Sequence, residues 1–161
     1  MSDQTATHDA IVIERMFDAP ANLIWKMWTD GEHFKHWYGP EGMTIPVAEM
    51  DARVGGKRLV CMEMGESMKM WFTGEYTEVE PTHRLVYTDS FADENGNPVL
   101  PSAYGMNDDE HPKTTIVTVI LEEVDGKTKM TMTHEGVDPG SGGSDGWKQS
   151  FNKLAEYLTM Q

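Results

Sequence analysis

Cys61 is the only cysteine in the sequence, so the chain can build neither a disulfide framework nor a cluster of thiolate metal ligands. It lies in an apolar stretch, where a buried and inert thiol is expected. Basic residues are scarce as well: 13 Lys and Arg against 27 Asp and Glu leave a formal charge of −14. A surface of that sign repels phosphates and anionic headgroups, which argues against nucleic acid or a membrane as partner. No apolar run approaches the roughly 18 residues of a bilayer span, and no apolar signal segment opens the chain. A cytoplasmic location is the resulting expectation. GxSxG, HExxH, P-loop and GxGxxG patterns are all missing. Glycines 140, 142, 143 and 146 precede a helix as phosphate loops do, but no Lys-Ser/Thr pair follows. His33 and His36 have a spacing that could offer two imidazoles to a metal, but no third ligand stands at a telling distance. Neither metal nor cofactor is therefore expected, and spacing yields no catalytic set.

What is present reads as one domain over 1–161, long enough to bury a core, with residues 1–7 polar and frayed. The clearest element is the last. Trp147, Phe151, Leu154 and Leu158 fall four, three and four residues apart, one stripe of an amphipathic helix. Ser144 or Asp145 is its expected N-cap. A helix this amphipathic needs a broad apolar surface to lie on, and most of the preceding chain reads as strands. His8 to Phe17 alternates. Asp18-Ala19-Pro20 then signals a helix start, with Asp18 as cap and Pro20 in the first turn. Leu23, Ile24, Met27 and Trp28 form the face of that helix, and a second short helix carries Phe34 and Trp37.

From Met43 the period drops to two, with strands predicted at 43–51, 56–65, 68–80, 83–91, 113–124 and 127–135. Asp125-Gly126 is a hairpin signal. Residues 92–112, rich in Pro, Gly, Asn and Asp, form a long loop. The prediction is an α+β helix-grip fold: a curved antiparallel sheet of about seven strands around the C-terminal helix, with two short helices between strands 1 and 2. An exposed edge on so wide a sheet invites aggregation, which calls for closure. Leu85, Tyr87, Val117, Val119, Leu121, Met130 and Met132 should face the helix, and Gly74 marks a hard bend.

Thirteen methionines are many for this length, six of them between Met43 and Met70. Aromatic residues concentrate around the short helices, the middle strands and the final helix. For any single residue, plain core is the favoured reading. Together they suggest that a sheet curved around one helix encloses more volume than the helix fills, leaving an apolar ligand cavity. Its expected lining or mouth comprises Trp37, Tyr38, Met62, Met64, Trp71, Phe72, Tyr76, Tyr87, Phe91, Tyr104, Val119, Met130, Met132, Trp147 and Phe151. Of the ionisable residues, Glu78, Asp89 and His134 could face inward, although a solvated strand end is the expectation for His134 and Glu135.

Several of these stretches resemble a known family. Arg15-x-Phe17-x-Ala19-Pro20, Ile24-Trp25-x-x-Trp28-Thr29-Asp30 and Trp37-Tyr38-Gly39-Pro40-x-Gly42 are similar to the opening of the activators of heat-shock protein 90 ATPase. So are Asp51-x-Arg53-x-Gly55-Gly56, Gly74-x-Tyr76-x-Glu78-Val79-x-Pro81, Arg84-Leu85-Val86-Tyr87-Thr88 and Gly142-Gly143-x-x-Gly146-Trp147-x-x-Ser150. The likeness spans about residues 10–160 and is greatest to the bacterial single-domain members. It implies the START-like, or SRPBCC, superfamily and its helix-grip fold of the birch-pollen-allergen type. Lipid carriers, polyketide cyclases and ring-hydroxylase subunits share that fold around a deep cavity. Two features depart from the family pattern: Tyr38 stands where a second tryptophan is common, and 92–112 is longer and more acidic, with Asp108, Asp109 and Glu110 in a row.

Three functions follow in order of expectation. The first is binding of a small hydrophobic or amphipathic molecule without turnover. The second is a cyclase, aromatase or hydrolase acting on a bound polyketide-like substrate, which requires a buried acid–base pair with shifted pKa values. The third, from the resemblance, is an interaction protein serving a chaperone; in the eukaryotic activators this domain follows a separate N-terminal one, so this chain alone is not expected to stimulate a chaperone ATPase. A monomer or weak homodimer is expected.

Overall fold

The computed structural model describes residues 10–65, 68–106, 108, 112–137 and 143–161; the frayed end expected at 1–7 and the start of the first strand at His8 lie outside these. Strand β1, Ala10–Phe17, leads into helix α1, Ala21–Thr29, and a single turn, α2, Gly31–Phe34. Then come β2 (Met43–Met50), β3 (Lys57–Met64), β4 (Met68–Glu80), β5 (Arg84–Ala92), β6 (Thr114–Val124) and β7 (Lys127–Glu135), and finally helix α3, Gly143–Leu158. From β2 onward each strand end lies within one residue of the position expected from alternation. All pairings are antiparallel in one curved sheet ordered β1-β7-β6-β5-β4-β3-β2. This is the helix-grip architecture.

Alternation turns one face of each strand towards α3, and the seven residues expected there form the wall. Leu85, Tyr87, Val117, Val119, Leu121, Met130 and Met132 are all 2% exposed or less. Trp147, Phe151 and Leu154 of α3 are buried against the same core, and Arg15 of β1 tethers the helix through its bond to Asn152. Each such large apolar side chain contributes roughly 1.5–3 kcal/mol on burial. The β6–β7 hairpin turns at Asp125 and Gly126, both with positive φ, as a two-residue primed turn requires.

Five local expectations are corrected. Among the described residues the sheet is not closed, and β1 and β2 are its edges. Edge β2 is blunted instead by Pro46, which has no N–H to offer, and by a register shift between Thr44 and Val47. Helix α3 begins at Gly143, so Ser144 and Asp145 lie in its first turn and neither caps it. Asp18 does not cap α1 either; Pro20 occupies that position, and the Glu123 carboxylate accepts from the Ala21 N–H at 3.0 Å. α2 ends at Phe34, and Trp37 is placed by the turns after it, where its N–H and that of Tyr38 both donate to Phe34 O. The stretch 92–112 is not purely loop. Ala92 bridges to Pro98, and Pro101–Tyr104 forms a 3-10 turn.

Candidate functional site

β3 alternates so that Arg58, Val60 and Met62 share the concave face, which carries a full positive charge into the interior. Space for it comes from Gly74, its partner on β4. A Cβ at Gly74 would sit 3.3 Å from Arg58 Cγ and 1.9 Å from Thr88 O, so only glycine lets β5 and the arginine stem come this close. The guanidinium then lies 3.8 Å from the centre of the Tyr87 ring and 5.5 Å from that of Phe34. Such cation–π placements are worth about 2 kcal/mol when desolvated.

Asp89, two residues beyond Tyr87 on the same face of β5, is the counter-ion. Arg58 Nη1 and Asp89 Oδ1 are 3.6 Å apart, with the side chains 3% and 10% exposed. That distance suits charge attraction but exceeds a hydrogen bond. Arg58 Nε, Asp89 Oδ1 and the Tyr76 hydroxyl are buried without a hydrogen-bond partner among the described residues; Trp28 Nε1, in the aromatic block, is a fourth such atom. Each unpartnered group costs about 1–3 kcal/mol. Burial, only partly offset by Arg58, pushes the Asp89 carboxyl up to about 6. Burial also raises the Tyr38 and Tyr87 hydroxyls far above their usual range, so both rings stay neutral.

His134 completes the cluster. The expected solvated strand end is corrected: β7 turns His134 inward, and Trp147 of α3 covers it. Trp147 Nε1–H can only donate, so His134 Nδ1 accepts at 3.0 Å. Nε2 therefore carries the proton and donates to Thr115 Oγ1 at 2.8 Å, and that hydroxyl donates to Asp89 O at 3.2 Å. Burial, followed by the Arg58 charge, lowers the imidazole to about 4. Both nitrogens are engaged, and the ring is a neutral strut between α3 and β5–β7.

Glu78 does not face inward. A register shift between Tyr76 and Glu78 reverses the alternation, so Val79 packs on the core while Glu78 pairs with Arg84 at the surface. Of the predicted lining residues, Trp37, Tyr38, Trp147 and Phe151 form an aromatic block with Trp28 and Phe34; ring centres there lie 4.5–6.3 Å apart. Tyr76, Tyr87, Val119, Met130 and Met132 are fully buried on the concave wall. Phe72, Phe91 and Tyr104 form a second aromatic group, and the Tyr104 hydroxyl donates to Ala92 O and accepts from Trp71 N. Met62 lies against Gly39. Trp71 is on the opposite face of β4 from Phe72, beside Cys61, and Met64 sits half exposed at the end of β3. His33 and His36 both engage Tyr157 of α3, His33 through a 2.8 Å bond from ring nitrogen to hydroxyl and His36 by stacking.

Arg58, the centre of the polar cluster, is absent from the sequence-based set, although its parity with Val60 and its place opposite an isolated glycine were both readable. A surface cleft of about 230 Å³ at the β4–β5 turn is lined by Ala21, Asn22, Thr82, His83 and Glu123, none of them part of this cluster.

The family described as Activator of Hsp90 ATPase homolog 1-like protein matches residues 18–159. The chain belongs to this family. Solved structures agree in fold. Protein CV1439 from Chromobacterium violaceum is 27% identical, with a TM-score of 0.75 over 92% of this chain and 96% of that one. A solution structure from Staphylococcus epidermidis is 25% identical, with a TM-score of 0.75 over 94% and 90% of the two chains. The AHSA1 protein from Silicibacter pomeroyi, at 23% identity, TM-score 0.71 and 94% and 98% coverage, supports the fold alone. No curated protein matches the chain significantly. No helix among the described residues is long and apolar enough to cross a membrane.

Proposed function

We propose that this family member binds a small amphipathic molecule between the curved sheet and α3 without transforming it. Its apolar body would lie against the aromatic and methionine walls, and its polar end would meet Arg58, Tyr76 and Asp89. One observation carries the reading: three polar atoms from three adjacent strands sit buried in a largely apolar interior with no hydrogen-bond partner among the described residues. Ligand sites combine apolar walls with a few convergent polar groups in this way.

A second reading, acid–base catalysis, draws on Asp89, whose carboxyl titrates near neutrality as a general base should. Turnover requires a second group free to exchange protons. His134 is the nearest candidate by chemistry, and both its nitrogens are committed. Binding therefore ranks first. The test is a titration of the folded protein with 1-anilinonaphthalene-8-sulfonate, with native mass spectrometry of freshly purified material beside it. Saturable one-to-one binding, weakened at least tenfold by Arg58→Met, supports the reading. A folded protein that neither binds the probe nor carries a co-purified molecule sinks it.

A further inference from the structure

We propose that the molecule held at Arg58, Tyr76 and Asp89 is an organic acid whose carboxyl shares a single proton with the Asp89 carboxyl, Arg58 balancing the one negative charge that remains. The inference rests on the binding reading above and assigns its ligand class. Arg58 Nε–H and Tyr76 O–H are donors without acceptors, and Asp89 Oδ1 is an acceptor without a donor. A ligand that satisfies all three accepts twice and donates once. Esters and ketones only accept, which leaves Asp89 Oδ1 bare, and an alcohol meets the count from a single oxygen, which cannot span the edge of a guanidinium. A protonated carboxyl does both, and its two oxygens suit the planar edge of a guanidinium whose face is already covered by Tyr87.

Charge selects the protonation state. Asp89 faces Arg58 from β3, Tyr87 on its own strand, Tyr38 after α2 and, through Thr115, His134 from β7, while Tyr76 of β4 packs its ring on Tyr87 beside Arg58. Burial keeps the Tyr38 and Tyr87 phenols and the imidazole neutral, so among the described residues Arg58 is the one positive charge in the cluster. Two carboxyls beside one buried guanidinium cannot both ionise, since like charges in a shared dry site force one to keep its proton. An acid that arrives as its anion therefore brings one proton from solvent, which comes to lie between the two carboxyls. No bond other than that to the proton is made or broken. Asp89 is prepared for the uptake, because burial already raises its carboxyl to about 6.

The experiment is calorimetric titration of the full chain with decanoic acid, 1-naphthoic acid, decanol and methyl decanoate. Each is run at pH 7 in two buffers of different ionisation enthalpy, and the acids are repeated at pH 8. At least one acid should bind with uptake of about one proton, and its affinity should fall about tenfold per pH unit above 7, as linkage requires. Decanol and the ester should bind at least tenfold more weakly. Asp89→Asn should abolish the uptake and flatten the pH dependence while the acid still binds. The buffer-pair measurement needs no variant, so a failure of Asp89→Asn to fold leaves the test intact. Decanol binding as tightly as decanoate without proton uptake overturns the inference and leaves the binding reading standing. Failure of all four compounds to bind overturns the inference, and the binding reading then stands or falls by its own probe titration.

Discussion

Asp89 and His134 should pull the stability of this protein in opposite directions across the same pH interval. The Asp89 carboxyl is raised from 3.8 to about 6 by burial. Its protonated form is favoured in the folded state, so the stability that it contributes is complete below pH 3.8 and is lost as pH rises through about 6. His134 is lowered from 6.5 to about 4. It contributes stability that is complete above pH 6.5 and is lost as pH falls through about 4. At ~1.4 kcal/mol per pH unit, each effect amounts to about 3 kcal/mol, and the two nearly cancel in the native protein. Removing one exposes the other. Urea denaturation of the wild type, Asp89→Asn and His134→Gln at half-unit steps from pH 4 to 7.5 separates them, because all other titrations drop out of the differences. Glutamine can still accept from Trp147 and donate to Thr115, so that variant removes the titration and keeps the struts. Relative to wild type, Asp89→Asn should gain about 3 kcal/mol between pH 4 and 6, and His134→Gln should lose about as much between pH 4 and 6.5. A difference that does not change with pH in either variant would refute the burial argument for that residue.

Trp147→Ala removes a 6%-exposed indole packed on Trp28, Tyr38 and Phe151, together with its bond to His134. A loss of about 3–5 kcal/mol follows. At ~2–4 °C per kcal/mol for this chain length, calorimetry should find Tm lowered by roughly 6–20 °C. A change of only a degree or two would mean that α3 is anchored elsewhere. Gly74→Ala places a methyl 1.9 Å from Thr88 O, a backbone atom that cannot swing away. Equilibrium unfolding should register a loss near or above the upper end of the ~1–3 kcal/mol typical of overpacking. Probe binding should weaken as well, because the arginine stem loses its seat; unchanged stability would contradict the close approach of β4 and β5.

The sheet was legible because most of each strand alternates in sequence, and alternation is a direct consequence of the pleat. Leu85, Tyr87, Val117 and Met130 needed no tertiary information to be placed inward. The same rule failed at Glu78, where the register shift after Tyr76 inserts one residue and reverses the faces beyond it. The helix starts were misplaced for a different reason. A capping signal is a local pattern, whereas the Ala21 N–H is satisfied by Glu123, 102 residues away in sequence. Alternation carried Arg58 onto the concave face as well, but hydrophobic patterning scores an arginine as surface, which hid the one residue around which the polar cluster is built. His134 escaped similarly, since only the position of Trp147 shows that the end of β7 is covered.

The contrast between the two halves of the interior bears on what the cluster is for. The aromatic block is close-packed, with ring centres at ordinary contact distances, and that packing contributes to stability. The Arg58–Asp89 pair adds little to that. Its ions meet at 3.6 Å, beyond hydrogen-bond range, and Arg58 Nε, Asp89 Oδ1 and the neighbouring Tyr76 hydroxyl have no hydrogen-bond partner among the described residues. Replacing such a pair by well-packed apolar residues of similar volume is often neutral or stabilising. Stability alone favours other residues at positions 58 and 89, and local rules tend to be broken in this way where a site is held ready for something else. A ligand able to complete those three hydrogen bonds would relieve that cost, and the relief would appear as part of its own binding affinity.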